Sequence, residues 1–182
     1  MARNYTNIIP ECYVDTNLIQ TLLRVEGVNH QSTCSQVAKE MMVKFSDNFA
    51  VGIIDADKFK RQPTYAQKSQ IIAKSEELTL CKYPDKPHYF LKINNIMENF
   101  ILHCAEQIGF DLKGEGFPDT KEGLMKITKH KDSLNNKDLT KLFKKLRDAK
   151  EMTILRETIE YLIQNPYTAD EIVLKNFFCN NG

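Results

Sequence analysis

A chain of 182 residues with 42% hydrophobic content can bury the core of one full-sized domain, or of one domain with a helical appendage. Lysine plus arginine number 25 against 24 aspartate plus glutamate, so no global polycation argues for nucleic-acid binding, although a local basic face remains compatible with the balance. Seven glycines, six prolines and no low-complexity tract argue against long disordered regions.

The N-terminal stretch MARNYTNIIPECY lacks the apolar core of a signal peptide, and no apolar run approaches membrane-spanning length. The five cysteines, Cys12, Cys34, Cys81, Cys104 and Cys179, form no CxxC pair, which favours reduced thiols in a soluble, cytoplasmic protein. Residues 5–9 read as a short strand stopped by Pro10, which cannot donate to a sheet ladder. Behind it comes Glu11-Cys12-Tyr13-Val14-Asp15 and then TNLIQTLLRV, where Leu18, Leu22 and Val25 with Ile19 and Leu23 make an apolar stripe at helical spacing. Asp15 or Thr16 is a natural N-cap. The unit is therefore strand, acidic loop, helix, with Glu11 at the strand end and Asp15 at the helix start.

Gly27 ends that helix, and residues 28–30 suit a second short strand, which would set His30 on the same sheet edge as the acids. Ser32 or Thr33 caps a helix over residues 34–45, with Val37, Met41 and Met42 inward. The next run, FAVGIIDADK, is nearly all apolar and ends abruptly in Asp55 and Asp57. Without polar alternation it suits a strand buried on both faces of a parallel sheet. Ligand crevices in such sheets lie beyond the carboxyl ends of the strands. Residues two apart on a strand point to one side, and paired carboxylates there repel unless a hard divalent cation joins them. A strand ending in solvent, with Asp-Ala-Asp opening a turn, fits the same spacing.

The segment KFKRQPTYAQKSQ reads as a basic exposed loop leading into a helix over residues 66–74. Residues 78–83 and 88–93 look like strands around a Pro84-to-Pro87 turn. A strong helix over IMENFILHCAEQIGF follows, with Ile96, Met97, Phe100, Ile101, Cys104 and Ile108 inward and Gly109 at its end. Residues 111–182 change character: after a Gly- and Pro-bearing connector come amphipathic helices near 120–129, 137–149, 151–164 and 169–178. The expected organisation is an α/β domain over 1–110, mostly parallel and flanked by helices, with an all-helical extension over 111–182 packed on it. The lysines of KDLTKLFKKLRDAK read as a solvated face.

Four acids, Glu11 and Asp15 from one loop and Asp55 and Asp57 from another, thus fall on one sheet edge. In this the chain resembles a TOPRIM domain, the fold shared by primases, topoisomerases and overcoming-lysogenization-defect nucleases. That pattern is a strand ending in glutamate, usually as E-G-x-x-D, and some forty residues on a strand ending in D-x-D. The resemblance covers about the first third of the chain and departs from the pattern at Cys12, where the family has glycine. It implies metal-dependent phosphodiester chemistry on nucleic acid, as in a nuclease. Asp55, Asp57 and Glu11 would hold Mg²⁺ or Mn²⁺, with Glu11 also acting in acid–base catalysis and Asp15 orienting the site. Lys58, Lys60 and Arg61, directly behind the D-x-D, would contact the phosphate backbone, although a solvated loop explains them equally well.

A second echo, Ile96-Met97-Glu98-Asn99-Phe100-Ile101, is similar to an I-E-N segment of standalone TOPRIM-like defence proteins, while Glu98 also suits the first turn of an ordinary helix. Tyr13-Val14-Asp15-Thr16-Asn17 is similar to the V-D-T-N opening of PIN-domain ribonucleases, which would make Asp15 the first metal ligand and Glu40 a second. A TOPRIM-like scaffold that binds or regulates without catalysing is the non-enzymatic alternative. The histidines at 30, 88, 103 and 130 show no zinc-ligand spacing.

Overall fold

The computed structural model describes residues 5–56 and 61–179. Its centre is a five-stranded sheet built from β1 (Ile8–Pro10), β2 (Ala50–Asp55), β3 (Gln70–Lys74), β4 (Leu78–Lys82) and β5 (His88–Ile93), in the order β1-β2-β5-β4-β3. β1, β2 and β5 run parallel, whereas β4 and β3 are antiparallel to their neighbours. The sheet is therefore mixed rather than mostly parallel. Parallel neighbours need a crossover of a dozen or more residues, and the connections at 75–77 and 83–87 are far too short for one. The helix expected over 66–74 is replaced by α3 (Thr64–Gln67) and then β3, since Ile71 and Ala73 pair with β4 across a bulge.

Period-two alternation divides the strand side chains between two faces. Ile9, Ala50, Ile54 and Phe90 face α2 (Cys34–Val43) and α3, with Val37, Met41, Tyr65 and Ala66 against them. Thr33 caps α2 as its sequence suggests, its hydroxyl accepting from the Gln36 N–H at 3.2 Å. Gly52 lets α2 lie close: a Cβ there would stand 2.8 Å from Val37 and 2.9 Å from Met41. His88 is fully buried on this side. It bonds Tyr65 Oη at 2.6 Å through Nδ1, and the Phe45 and Asn48 carbonyls at 3.0 Å through Nε2. Burial lowers its pKa, so the neutral ring fastens the turn between α2 and β2 rather than serving a site.

Ile8, Val51, Ile53, Leu91 and Ile93 face the other way, against α1 (Tyr13–Leu23) and α4 (Met97–Gln107). The remaining helices are α5 (Lys121–Thr128), a 3-10 turn (Lys131–Asn135), α6 (Lys137–Lys145), α7 (Lys150–Gln164) and α8 (Glu171–Cys179). They share that same core, with Leu124, Phe143, Leu155 and Leu174 packed in one cluster with Leu18 and Phe100.

Residues 28–31 explain a near miss. They run beside β1 as an extended segment, the Asn29 and Gln31 N–H groups donating to the Ile8 and Pro10 carbonyls at 2.9 Å. The returning bond of a parallel ladder would need an N–H on residue 10, and Pro10 has none. The segment is strand-like in position yet makes only half a ladder. Pro10 itself is the last residue of β1, because its missing N–H faces this outer edge and not β2.

Candidate functional site

Because β1 and β2 are adjacent and parallel, Glu11 and Asp55 emerge side by side at the same carboxyl edge. The Glu11 N–H donates to the Ile53 carbonyl at 2.9 Å, which carries the ladder one residue past β1. Glu11 Oε2 in turn accepts the Asp55 N–H at 3.1 Å. These two residues form one wall of a cleft of about 280 Å³, together with Cys12 at the start of α1. The opposite wall comes from Glu98 in the first turn of α4 and from Thr128, Lys129 and His130 at the end of α5. The first turns of α1 and α4 both line the recess, and neither N-cap residue, Cys12 or Ile96, supplies a side-chain capping bond.

Asp15 sits in the first turn of α1 with no solvent exposure, and neither of its carboxyl oxygens has a hydrogen-bond partner of ordinary geometry. Burial pushes its pKa up to about 7; the nearby Cys12 thiol and backbone N–H oppose this, while the Glu11 and Glu98 carboxylates add to it. Asp15 is thus largely protonated below neutral pH. Cys12 has an extended backbone, φ −133°, that needs no glycine. Burial, reinforced by the Asp15 charge, holds its thiol far above the ordinary range, so it is no thiolate nucleophile.

Glu98 is 3% exposed and accepts a short hydrogen bond from the Thr128 hydroxyl. In sequence it looks like an ordinary helix-start acid; its packing makes it a member of the cleft. The available signal was its alignment with Ile101 and Ala105, at i+3 and i+7, on the buried stripe of α4. His30 does lie at the acid edge, but it braces α1: it stacks on Tyr13 at 4.1 Å between ring centres, and its Nδ1 lies 3.0 Å from Thr16 Oγ1.

Asp57, Lys58 and Lys60 lie outside the described residues. Arg61 is exposed, and Gln62 Nε2 donates to the Asp55 carbonyl at 2.9 Å, so the chain leaves the sheet at Asp55 and is anchored against it again at Gln62. Glu40 is engaged elsewhere, by Asn29 at 3.0 Å and Lys44 at 3.8 Å. Among the described residues no three His, Cys, Asp or Glu side chains already form a metal-holding group. The donor set is nevertheless the right kind for a hard cation: carboxylate oxygens from Glu11, Asp55 and Glu98, with the unpartnered Asp15 carboxyl nearby.

No family model, curated protein or solved structure matches the chain. Among the described residues no helix is long and apolar enough to cross a membrane.

Proposed function

We propose that this chain carries out Mg²⁺- or Mn²⁺-dependent phosphodiester chemistry on nucleic acid, on a TOPRIM-like α/β scaffold. The supporting observation is the joining of Glu11 and Asp55 across adjacent parallel strands, 3.1 Å from carboxylate oxygen to backbone nitrogen, in a cleft that also holds Glu98. Asp55 and Glu11, with Asp57 of the same motif, would hold the cation. When bound, the cation polarises a phosphoryl oxygen and lowers the pKa of a bound water.

The chain's own residues do the rest. Glu11, which accepts the Asp55 N–H, would take a proton from the attacking water. A protonated Asp15 spares Glu11 and Glu98 a further negative charge in a confined space. Thr128 fixes the Glu98 carboxyl by its hydroxyl bond. Lys58, Lys60 and Arg61 would steady the phosphate backbone, as the resemblance implies.

Two other readings remain in view. Cys12 lines the cleft where the TOPRIM pattern has glycine, and this favours a module that binds without turning over. The PIN reading places the V-D-T-N segment on a strand, whereas Tyr13–Leu23 is helical, which favours the TOPRIM-like alternative. Cleavage of labelled single-stranded and duplex oligonucleotides in Mn²⁺ separates them. Wild type should cleave, and Asp55→Asn should lower the rate by about 100-fold or more. Equal rates would remove Asp55 from the chemistry, and nucleic-acid binding without cleavage would leave the binding module.

A further inference from the structure

Glu11 and Asp55 share their cleft with residues that the helical half of the chain supplies. α5 ends at Thr128, whose hydroxyl donates to Glu98, and the next two residues, Lys129 and His130, are exposed and line the cleft. This short stretch is held at both ends. On one side is the Thr128–Glu98 bond; on the other, the His130 carbonyl accepts the Ser133 N–H at 3.0 Å, and the Ser133 carbonyl accepts Asn17 Nδ2 of α1 at 2.8 Å. Lys129 and His130 are therefore set by α1 and α4, the same helices that carry Asp15 and Glu98. An anion entering the cleft meets Glu11 and Asp55, and beside Glu98 it meets a lysine and a histidine.

The shape narrows what that anion can be. The recess measures about 280 Å³, small among ligand pockets, and Glu11 and Glu98 are only 8% and 3% exposed. A continuous duplex is stiff over ~50 nm and keeps its phosphates on its own surface, so it cannot lower one to such a floor. A single strand bends at every nucleotide and can.

We infer that the helical half supplies the phosphate-contacting wall of the site, with Lys129 and His130 holding the backbone of single-stranded nucleic acid as one phosphodiester reaches Glu11 and Asp55. The identity of the ligand rests on the phosphodiester reading; the placement of Lys129 and His130 does not.

Fluorescence anisotropy of an end-labelled single-stranded oligonucleotide, titrated with the full chain in Mn²⁺ over a range of salt, tests this. Lys129→Ala with His130→Ala should weaken binding about tenfold. It should also reduce the slope of log K against log salt by about 0.7, the value for the one single-strand phosphate contact of Lys129. Lys126→Ala, one turn earlier on α5 and outside the cleft lining, should stay within about twofold of wild type and report on general charge alone. Binding unchanged in the double variant, or lowered equally by Lys126→Ala, overturns the assignment, and so does equal affinity for a blunt duplex of the same length. If cleavage occurs but ignores the double variant, this inference fails and the catalytic reading stands. If single strands bind through Lys129 and His130 without any cleavage, the inference stands and the catalytic reading fails.

Discussion

Between pH 5 and pH 8, in EDTA, the protein is expected to lose roughly 3 kcal/mol of stability that an Asp15→Asn variant does not lose. The buried Asp15 carboxyl titrates near 7 in the fold against an ordinary value of 3.8. Its folded pKa is raised, so the native state holds the proton more tightly than the unfolded chain. The contribution is therefore complete below about pH 4 and is lost as pH rises through 7, with a full amplitude of roughly 4 kcal/mol. Burial is the chief cause, and of the groups around it Glu11 and Glu98 deepen the effect while Cys12 opposes it. For a chain of this size the decline corresponds to roughly 5–10 °C in Tm. Asparagine keeps the shape and stays neutral, so the difference between the two pH curves reports Asp15 together with its interaction with Glu11 and Glu98. The variant should melt above wild type at pH 8. Parallel curves would show that Asp15 is not buried as a titrating acid.

Truncating Asn17 should cost about 1–3 kcal/mol. This side chain, 2% exposed, is the main polar link between the sheet-facing helix α1 and the helical half. Its amide donates to the Ser133 carbonyl at 2.8 Å and the Asn136 carbonyl at 3.2 Å, and its oxygen accepts from Thr140 at 3.0 Å and Thr21 at 3.1 Å. Asn17→Ala removes these four hydrogen bonds. Thr140 keeps its bond to the Asn136 carbonyl and the Ser133 carbonyl still accepts the Asn136 N–H, so the loss is that of several net hydrogen bonds at ~0.5–1.5 kcal/mol each and not of stranded groups. Denaturant titration should show a lower midpoint with an unchanged slope, because one continuous core joins the two halves. A loss below 1 kcal/mol, or a separate early transition of the helices, would contradict this.

Much of the architecture was legible because its signals are local. The apolar run over 49–54 ending in Asp55 could hardly be anything but an interior strand, and Thr33 before an amphipathic run is a helix start by its own chemistry. Glu11 and Asp55 were also readable as one edge, since two parallel strands with a crossover between them must end on the same side. Where local and tertiary forces differ, the sequence misled. Residues 70–74 carry no strand alternation; they become β3 because β4 presents an open edge to pair with. Asp15 and Thr16 are both good caps, yet Cys12 holds the N-cap position, because the chain turns into the helix directly off β1. Glu98 stood in the I-E-N echo, but an ordinary helix start explained it as well, because its burial depends on Thr128, thirty residues further on, and on a helix that only the fold brings against it.

The claim at the centre is that Glu11 and Asp55 belong to a cation-dependent site, and thermal melts with and without Mn²⁺ address it most directly. Clustered carboxylates destabilise one another, and a cation that binds only the folded chain relieves them. At a hundredfold excess over its Kd, Mn²⁺ should stabilise wild type by roughly 3 kcal/mol, which is about 5–10 °C in Tm. Asp55→Asn should abolish that shift while melting in EDTA at or above the wild-type temperature. A wild type that ignores millimolar Mn²⁺, or an Asp55→Asn variant that responds as wild type does, would contradict it.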